Sequence, residues 1–308
     1  MPRSATSSAR PAGTAAPAHF DFDGIGTSWQ IETPRELDPG TRRLVLDRVE
    51  EFDRTYSRFR ADSLVTAVAE RPGTHLFPPD SIGLFDLYDR LVAATDGAVD
   101  PLVGRELELL GYDASYRLRP AGAAERAAAE ASGPAGWAAD VERDGRRLTT
   151  ERPVVIDVGA AGKGYLVDLV AELLRGRGYD EFLVDASGDL VHSGREPIRV
   201  ALEHPLQPGT AIGVAEVADA SLCASASNRR VWGDGLHHIL DARTGSPARE
   251  VIATWVVAAD TALADGLATA LFFTGAHRLA ETFHFSYVRM YADGRAERSR
   301  DFRGELFS

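Results

Sequence analysis

The sequence has one cysteine, two methionines and one lysine in 308 residues. The lone Cys223 excludes an internal disulfide framework and a cysteine-based zinc site. No stretch approaches the roughly 20 apolar residues that cross a bilayer as a helix. Residues 1–19, rich in Ala, Ser, Pro and Gly, hold neither the apolar core of a secretory signal nor a lipoprotein cysteine. They are expected to be a disordered tail on a cytoplasmic protein. Positive excess is absent too: a net charge of −12 speaks against unspecific binding to nucleic acid. Of the 34 lysines and arginines only Lys163 is lysine, as a GC-rich genome would favour. Its survival marks a place where a compact ammonium suits and a planar guanidinium does not.

What is present reads as a mixture of strands and helices without regular alternation, so the class is α+β. Order is expected from about Phe20, where Phe20 to Ile31 alternates and turns at glycine. The spacing of Val45, Val49, Phe52, Tyr56 and Phe59 predicts an amphipathic helix over Thr41–Phe59. A second helix is expected from the cap candidate Asp80, and a third from Asp100-Pro101. Residues 114–150 read as a peripheral helix and hairpin. A β-α-β pattern follows, with a strand at Val154–Val158, a helix at Tyr165–Arg175 and a strand at Phe182–Val184. Further strands are expected near 198–202, 212–217 and 253–258, and an apolar helix over Leu263–Phe273.

Four segments concentrate Gly, Asp, His and Ser. Asp157 to Tyr165 (Asp-Val-Gly-Ala-Ala-Gly-Lys-Gly-Tyr) leaves a strand through glycines and opens a helix, offering free N–H groups to an anion. It is not a phosphate-binding P-loop, because Asp157 stands at the first glycine and Gly164 follows the lysine. Glycines at 159, 162 and 164 also miss the dinucleotide fingerprint Gly-x-Gly-x-x-Gly. Asp185 to Leu190 is a polar turn after a strand, open to a structural or a functional reading. His237 to Pro247 places two histidines on opposite sides of an extended chain, so at most one faces a given pocket. Histidine beside carboxylate and hydroxyl suits general acid–base work. In Ala264 to Ala270, Asp265 and Thr269 share one face of an apolar helix. A half-buried Asp there needs a partner: either a neighbouring loop that it caps, or a hard cation such as Mg²⁺.

Taken in order, these segments resemble the ApbE family, the FAD:protein FMN transferases. The family's Met-Gly-Thr is Ile25-Gly-Thr27 here, and its Ser-x-Tyr/Phe with Asp-Ser is Ser57-Arg-Phe59 with Asp62-Ser63. Thr-Asp-Gly-x-Phe-Asp-Pro appears as Thr95 to Pro101, and the central Asp-Leu-Gly-Gly-Ile-Ala-Lys-Gly-Tyr-Ala-Val-Asp as Asp157 to Asp168. Asn-x-Gly-Gly-Asp-Leu becomes Asp185 to Leu190, His-Ile-Ile-Asp-Pro-x-Thr-Gly-x-Pro becomes His238 to Pro247, and Ala-Asp-Ala-Leu-Ala-Thr-Ala becomes Ala264 to Ala270. Departures fall at Ala160, Asp185, Ser187 and Ala242, and the usual Thr-Ser-Gly is Ala224-Ser-Ala226. They put the acceptor's identity in doubt more than the fold.

The resemblance implies a single α+β unit of two interlocked subdomains, spanning 20–308, with FAD in the cleft between them. By resemblance Ile25, Phe59, Ala98, Val99 and Asp100 line the flavin pocket, and Asp157, Lys163 and Ile239 also contact FAD. The Ala160 carbonyl, Asp265 and Thr269 would hold Mg²⁺, His238 is the reactive histidine, and Asp241, close by in the same loop, is the second catalytic residue. The implied reaction moves FMN from FAD onto a Thr or Ser of an acceptor flavoprotein and releases AMP. Hydrolysis of FAD to FMN and AMP, or flavin binding without catalysis, are the alternatives.

Overall fold

A computed structural model describes residues 16–307 of the chain. Most of the expected 1–19 tail therefore lies outside the described residues, and pairing begins at Ala18, two residues ahead of Phe20. The frame is one antiparallel sheet whose strands lie in chain order: β1 (Ala18–Gly24), β2 (Thr27–Thr33), β3 (Phe182–Asp185), β4 (Asp189–Ser193), β5 (Ala220–Ala226), β6 (Val251–Ala258), β7 (Ser286–Tyr291) and β8 (Ala296–Arg298). All seven pairings are antiparallel. Helices and strands are both present, without a parallel ladder among the described residues, so the α+β class holds.

Both faces of the central strands are buried, and the alternation along each of them shows how. Val184, Val191, Cys223 and Val256 enter the larger core, shared with the helices. Their neighbours Leu183, Leu190, Leu222 and Trp255 enter a second core beneath a three-stranded sheet of Ile198–Glu203, Ala211–Val217 and Gly304–Leu306. A strand covered on both sides has no reason to alternate apolar with polar residues, hence the near-continuous Val-Ile-Ala-Thr-Trp-Val-Val-Ala of β6.

Four helices build the other layer: α1 (Pro39–Tyr56), α2 (Ser81–Ala94), α3 (Gly162–Gly176) and α4 (Thr261–Ala270). Asp38 caps α1 by accepting from Thr41 N at 2.9 Å, with Pro39 in the first turn. That helix stops at Tyr56, three residues short of the expected Phe59, and Arg58 beyond it turns to Asp157. Asp80 precedes α2 as expected but does not cap it, because its carboxylate pairs with Arg48. Asp100 does cap, accepting from Leu102 N at 2.8 Å, and opens a short 3₁₀ turn at Pro101–Val103 before a helix at Gly104–Leu109. The helix at Ala123–Ser132 and the hairpin of Glu142–Asp144 with Arg147–Thr150 match the peripheral reading of 114–150.

The expected strand at Val154–Val158 is a correction. Val154, Ile156 and Val158 are buried in alternation, which imitates a strand. The segment joins no ladder, however, and the Asp157 N–H goes to the Pro101 carbonyl of a neighbouring loop at 2.7 Å. Sidedness came from burial without a strand beside it.

Gly164 sets the distance between α3 and α4. A Cβ there would lie 2.3 Å from Thr261 O and 2.8 Å from the Asp265 Cβ. Backbone cannot yield as a flexible side chain can, so Gly164→Ala is expected to destabilise the fold by about 1–3 kcal/mol. Urea unfolding checks this: an unchanged midpoint would mean that the two helices separate without cost. Among the described residues, no helix is long and apolar enough to cross a membrane.

Candidate active site

Where α3 begins, three elements meet around buried charge. Lys163 reaches from the first turn of α3 to the β3–β4 hairpin, where Nζ donates to Ala186 O at 2.9 Å and pairs with Asp189 Oδ2 at 2.7 Å. Asp189 is 1% exposed, so this contact pairs the ammonium with a carboxylate that is shut off from water. Asp265, buried on α4, accepts from Gly164 N at 2.9 Å. Burial pushes its carboxyl well up, Asp189 adds to the rise, and Lys163 opposes it. Asp168 accepts from Thr261 N and Ala262 N at 2.9 and 2.8 Å, holding the start of α4, and burial pushes its carboxyl up to about 6.

One turn beyond Asp265, Thr269 Oγ1 lies 3.5 Å from Ala160 O. The sequence-expected metal set is therefore all oxygen, with one carboxylate, one hydroxyl and one carbonyl on two adjoining elements. Among the described residues, no group of three or more His, Cys, Asp and Glu side chains could hold a metal ion. A hard cation that keeps water and substrate phosphate as further ligands needs only one or two carboxylates, and the residues fit such an ion.

The second half of the site is formed by the loop after β5. Val231–Trp232 pairs with Leu236–His237, and beyond this pair the two histidines diverge. His237 is buried, with Nε2 against Ala248 O at 2.8 Å and Nδ1 accepting from Ile239 N at 3.3 Å. A carbonyl on one nitrogen and an N–H on the other assign the neutral Nε2–H tautomer, a structural role. His238 is half-buried, and its Nδ1 is buried with no hydrogen-bond partner. Burial, then Arg230 and His237, lower its pKa to about 3, while Asp157 opposes them. The ring is a neutral imidazole.

Asp157 joins the two halves. Burial alone would raise its carboxyl, but Arg58, with Nε at 2.5 Å from Oδ2, and Gly159 N, at 2.7 Å from Oδ1, hold it below the usual range. Tyr88 is fully buried between fields: burial raises its phenol, and Asp157 and Asp265 add to that. Arg230 donates to the Tyr112 hydroxyl at 2.8 Å, and Tyr112 stacks on Trp232 at 5.5 Å.

Residues 25–288 match the ApbE family. The chain belongs to the ApbE family. It is 27% identical over 305 residues to the FAD:protein FMN transferase of Klebsiella pneumoniae, covering 94% of this chain and 87% of that one. The crystal structure of the ApbE protein from Thermotoga maritima superposes with a TM-score of 0.81 at 25% identity, covering 92% of this chain and 97% of that one. The flavin transferase ApbE from Vibrio cholerae shares the fold, with a TM-score of 0.80 at 24% identity over the same shares.

Within this ApbE-family chain the remaining expected site residues take distinct places. Ile25, half-buried, forms with Gly26 the two-residue turn between β1 and β2, at φ +45° and +76°. A β-branched residue in the left-handed region stores strain of about 1–3 kcal/mol, a mark of functional turns. Ala98 and Val99 are buried, and Ala98 O accepts from Ala242 N at 3.0 Å, tying their loop to that of His238. The Asp100 carboxylate is committed to Leu102 N and Trp137 N, and Ile239 is buried. The Asp241 carboxylate is paired with Arg243, whose Nε and Nη2 donate to its two oxygens at 2.9 and 2.5 Å. Phe59 is half-buried and stacks on Tyr116. Sequence reasoning gave no role to Arg58, Arg230, Asp168 or Asp189. Asp168 and Asp189 carried a signal, as the carboxylates of the 157–168 and 185–190 motifs.

Two outcomes are expected. Asp189→Ala removes the ion-pair partner of Lys163 and should cost about 3 kcal/mol in chemical denaturation; a loss below about 1 kcal/mol would make the pair dispensable. The unfolded chain takes a proton on His238 below about pH 6.5, and the folded chain only near 3. Its contribution to stability is thus complete above about pH 6.5 and lost as pH falls toward 3. In NMR, its ring C–H shift should stay flat from about pH 8 to 5; a midpoint near 6.5 would contradict the neutral imidazole.

Proposed function

We propose that this chain transfers FMN from FAD to a Thr or Ser hydroxyl of an acceptor flavoprotein and releases AMP, with Mg²⁺ as its metal. The observation that carries the reading is His238: a neutral imidazole whose buried Nδ1 has no hydrogen-bond partner, in the field of Asp157. Nδ1 is the atom to take the acceptor's proton. An incoming pyrophosphate favours the imidazolium and so raises the basicity of that nitrogen. His237 serves as the fixed neighbour that holds the loop.

FAD would lie in a cleft between two interlocked subdomains, with Ile25, Phe59, Ala98, Val99 and the Asp100 backbone along the flavin and with Ile239 and Asp157 nearby. Lys163 spends two of its three N–H donors on Ala186 and Asp189 and keeps one for the nucleotide. Ala160 O, Asp265 and Thr269 would hold Mg²⁺, which supplies neutralisation of charge on the pyrophosphate. Asp265 is its one charged ligand, and Thr269 contributes less.

The test is FAD with Mg²⁺ and candidate acceptor proteins, followed by AMP release and fluorescent flavin on protein. His238→Ala should abolish adduct formation and leave FAD affinity within about threefold, and Asp265→Ala should abolish the response to Mg²⁺. Free FMN with no labelled protein would replace transfer by hydrolysis. Activity that survives EDTA would remove the metal from the reading.

A further inference from the structure

Arg230 differs from the other arginines near His238 in having no carboxylate of its own. Arg58 is paired with Asp157, and Arg243 with Asp241. Arg230 is exposed and, among the described residues, joins no ion pair. Its side-chain hydrogen bond runs from Nη1 to the Tyr112 hydroxyl at 2.8 Å. A guanidinium carries five N–H donors, so those on Nε and Nη2 remain open to a further acceptor.

The side chain is nevertheless held in place. Tyr112 is buried and lies on Trp232, ring centres 5.5 Å apart and planes 18° from parallel. Trp232 Nε1 donates to Leu110 O at 2.9 Å, and the Arg230 guanidinium carbon lies 5.9 Å from the Tyr112 ring centre. An arginine gives up rotamer freedom when it binds a ligand, and this one has already given up part of it.

The hairpin brings it to His238. Val231 pairs with His237 and Trp232 with Leu236, so the register continued by one step sets Arg230 opposite His238. Cross-strand partners share a face. Besides burial, the Arg230 guanidinium and His237 disfavour the imidazolium, whereas Asp157 and the Arg230 backbone carbonyl favour it. Asp157 is itself acted on by Arg58 and Arg230. Of the residues acting on the ring, His237 is buried and Asp157 half-buried, and Arg230 is exposed. Its field is the one that an anionic ligand can reach and cancel.

We infer that Arg230 binds the anionic oxygens of the substrate's pyrophosphate and couples their arrival to the readiness of His238 as a base. This rests on the reading that FAD is the substrate and His238 the base. Without substrate the guanidinium opposes a proton on His238. Phosphate oxygens seated on Nε and Nη2 offset that field, and their own charge then favours the imidazolium. The base gains strength when the phosphorus that it serves is in place.

Binding of FAD and riboflavin to the full chain in EDTA tests the contact. Arg230→Gln keeps an exposed polar side chain. It should weaken FAD about tenfold and leave riboflavin, which has no phosphate, within about twofold. Arg230→Lys keeps the charge without the fork and should fall between the two. Equal losses for FAD and riboflavin would make Arg230 a brace of the hairpin, and an unchanged FAD affinity would take it away from the phosphates; either result overturns the inference. The His238 ring C–H shift tests the coupling. With FAD bound to the parent chain it should begin to move toward the imidazolium position as pH falls from about 8 to 5, and in Arg230→Gln saturated with FAD the added movement should be smaller. A shift that stays flat with FAD, or a variant that responds to FAD as the parent does, overturns the coupling. A parent chain that binds no FAD would remove the FAD reading and this inference with it. FAD binding indifferent to Arg230 would remove this inference only.

Discussion

The approach of α3 to α4 depends on the missing side chain of Gly164, because anything larger would meet the Thr261 carbonyl at 2.3 Å. Once the helices are that close, other contacts follow by geometry. The Gly164 N–H falls to Asp265, and Asp168, one turn further along α3, reaches the first N–H groups of α4. On the preceding residue, Lys163 is carried over the β3–β4 hairpin to Ala186 and Asp189. One close backbone contact thus positions the oxygen set, a helix cap and the only lysine.

That compactness concentrates negative charge. Asp265 lies in the fields of Asp168 and Asp189, and Asp185 in that of Asp189, with the Lys163 ammonium acting on both Asp185 and Asp265. For Asp168, Asp185 and Asp265 burial is the largest influence and drives each carboxyl upward. A region so arranged favours either protons or an added cation. Its all-oxygen character makes the cation a hard one, and the phosphates of a nucleotide would complete its shell. The other half of the site is balanced differently: Arg58 and Arg230 act on Asp157, while burial, aided by Arg230 and His237, keeps His238 neutral.

Local signals were legible in the sequence wherever a residue acts on its neighbours. Asp100 with Pro101 marks a real start, and the adjacent histidines do diverge. Burial patterns were legible without their cause, as at Val154–Val158, whose alternation is genuine though no strand lies beside it. Partnerships across the chain were not legible. Arg58 and Asp157 are 99 residues apart, and nothing in Ser57-Arg-Phe59 distinguishes a buried cation from a solvated one. The commitment of Asp241 to Arg243, two residues on, could have been suspected from charge and spacing alone.

The sheet keeps strict chain order, yet β2 ends at Thr33 and β3 begins at Phe182, with α1, α2 and α3 in between. The β1–β2 hairpin can form early from local contacts alone, whereas its docking on β3 must await the collapse of everything inserted. Loop closure over that length is entropically slow but adds little to the final free-energy cost. Until it happens, β3 presents a bare row of N–H and C=O groups, the kind of edge that pairs with foreign chains. The first strands of this protein are in kinetic terms its last guard against self-association, the latch that closes an edge left open through most of folding.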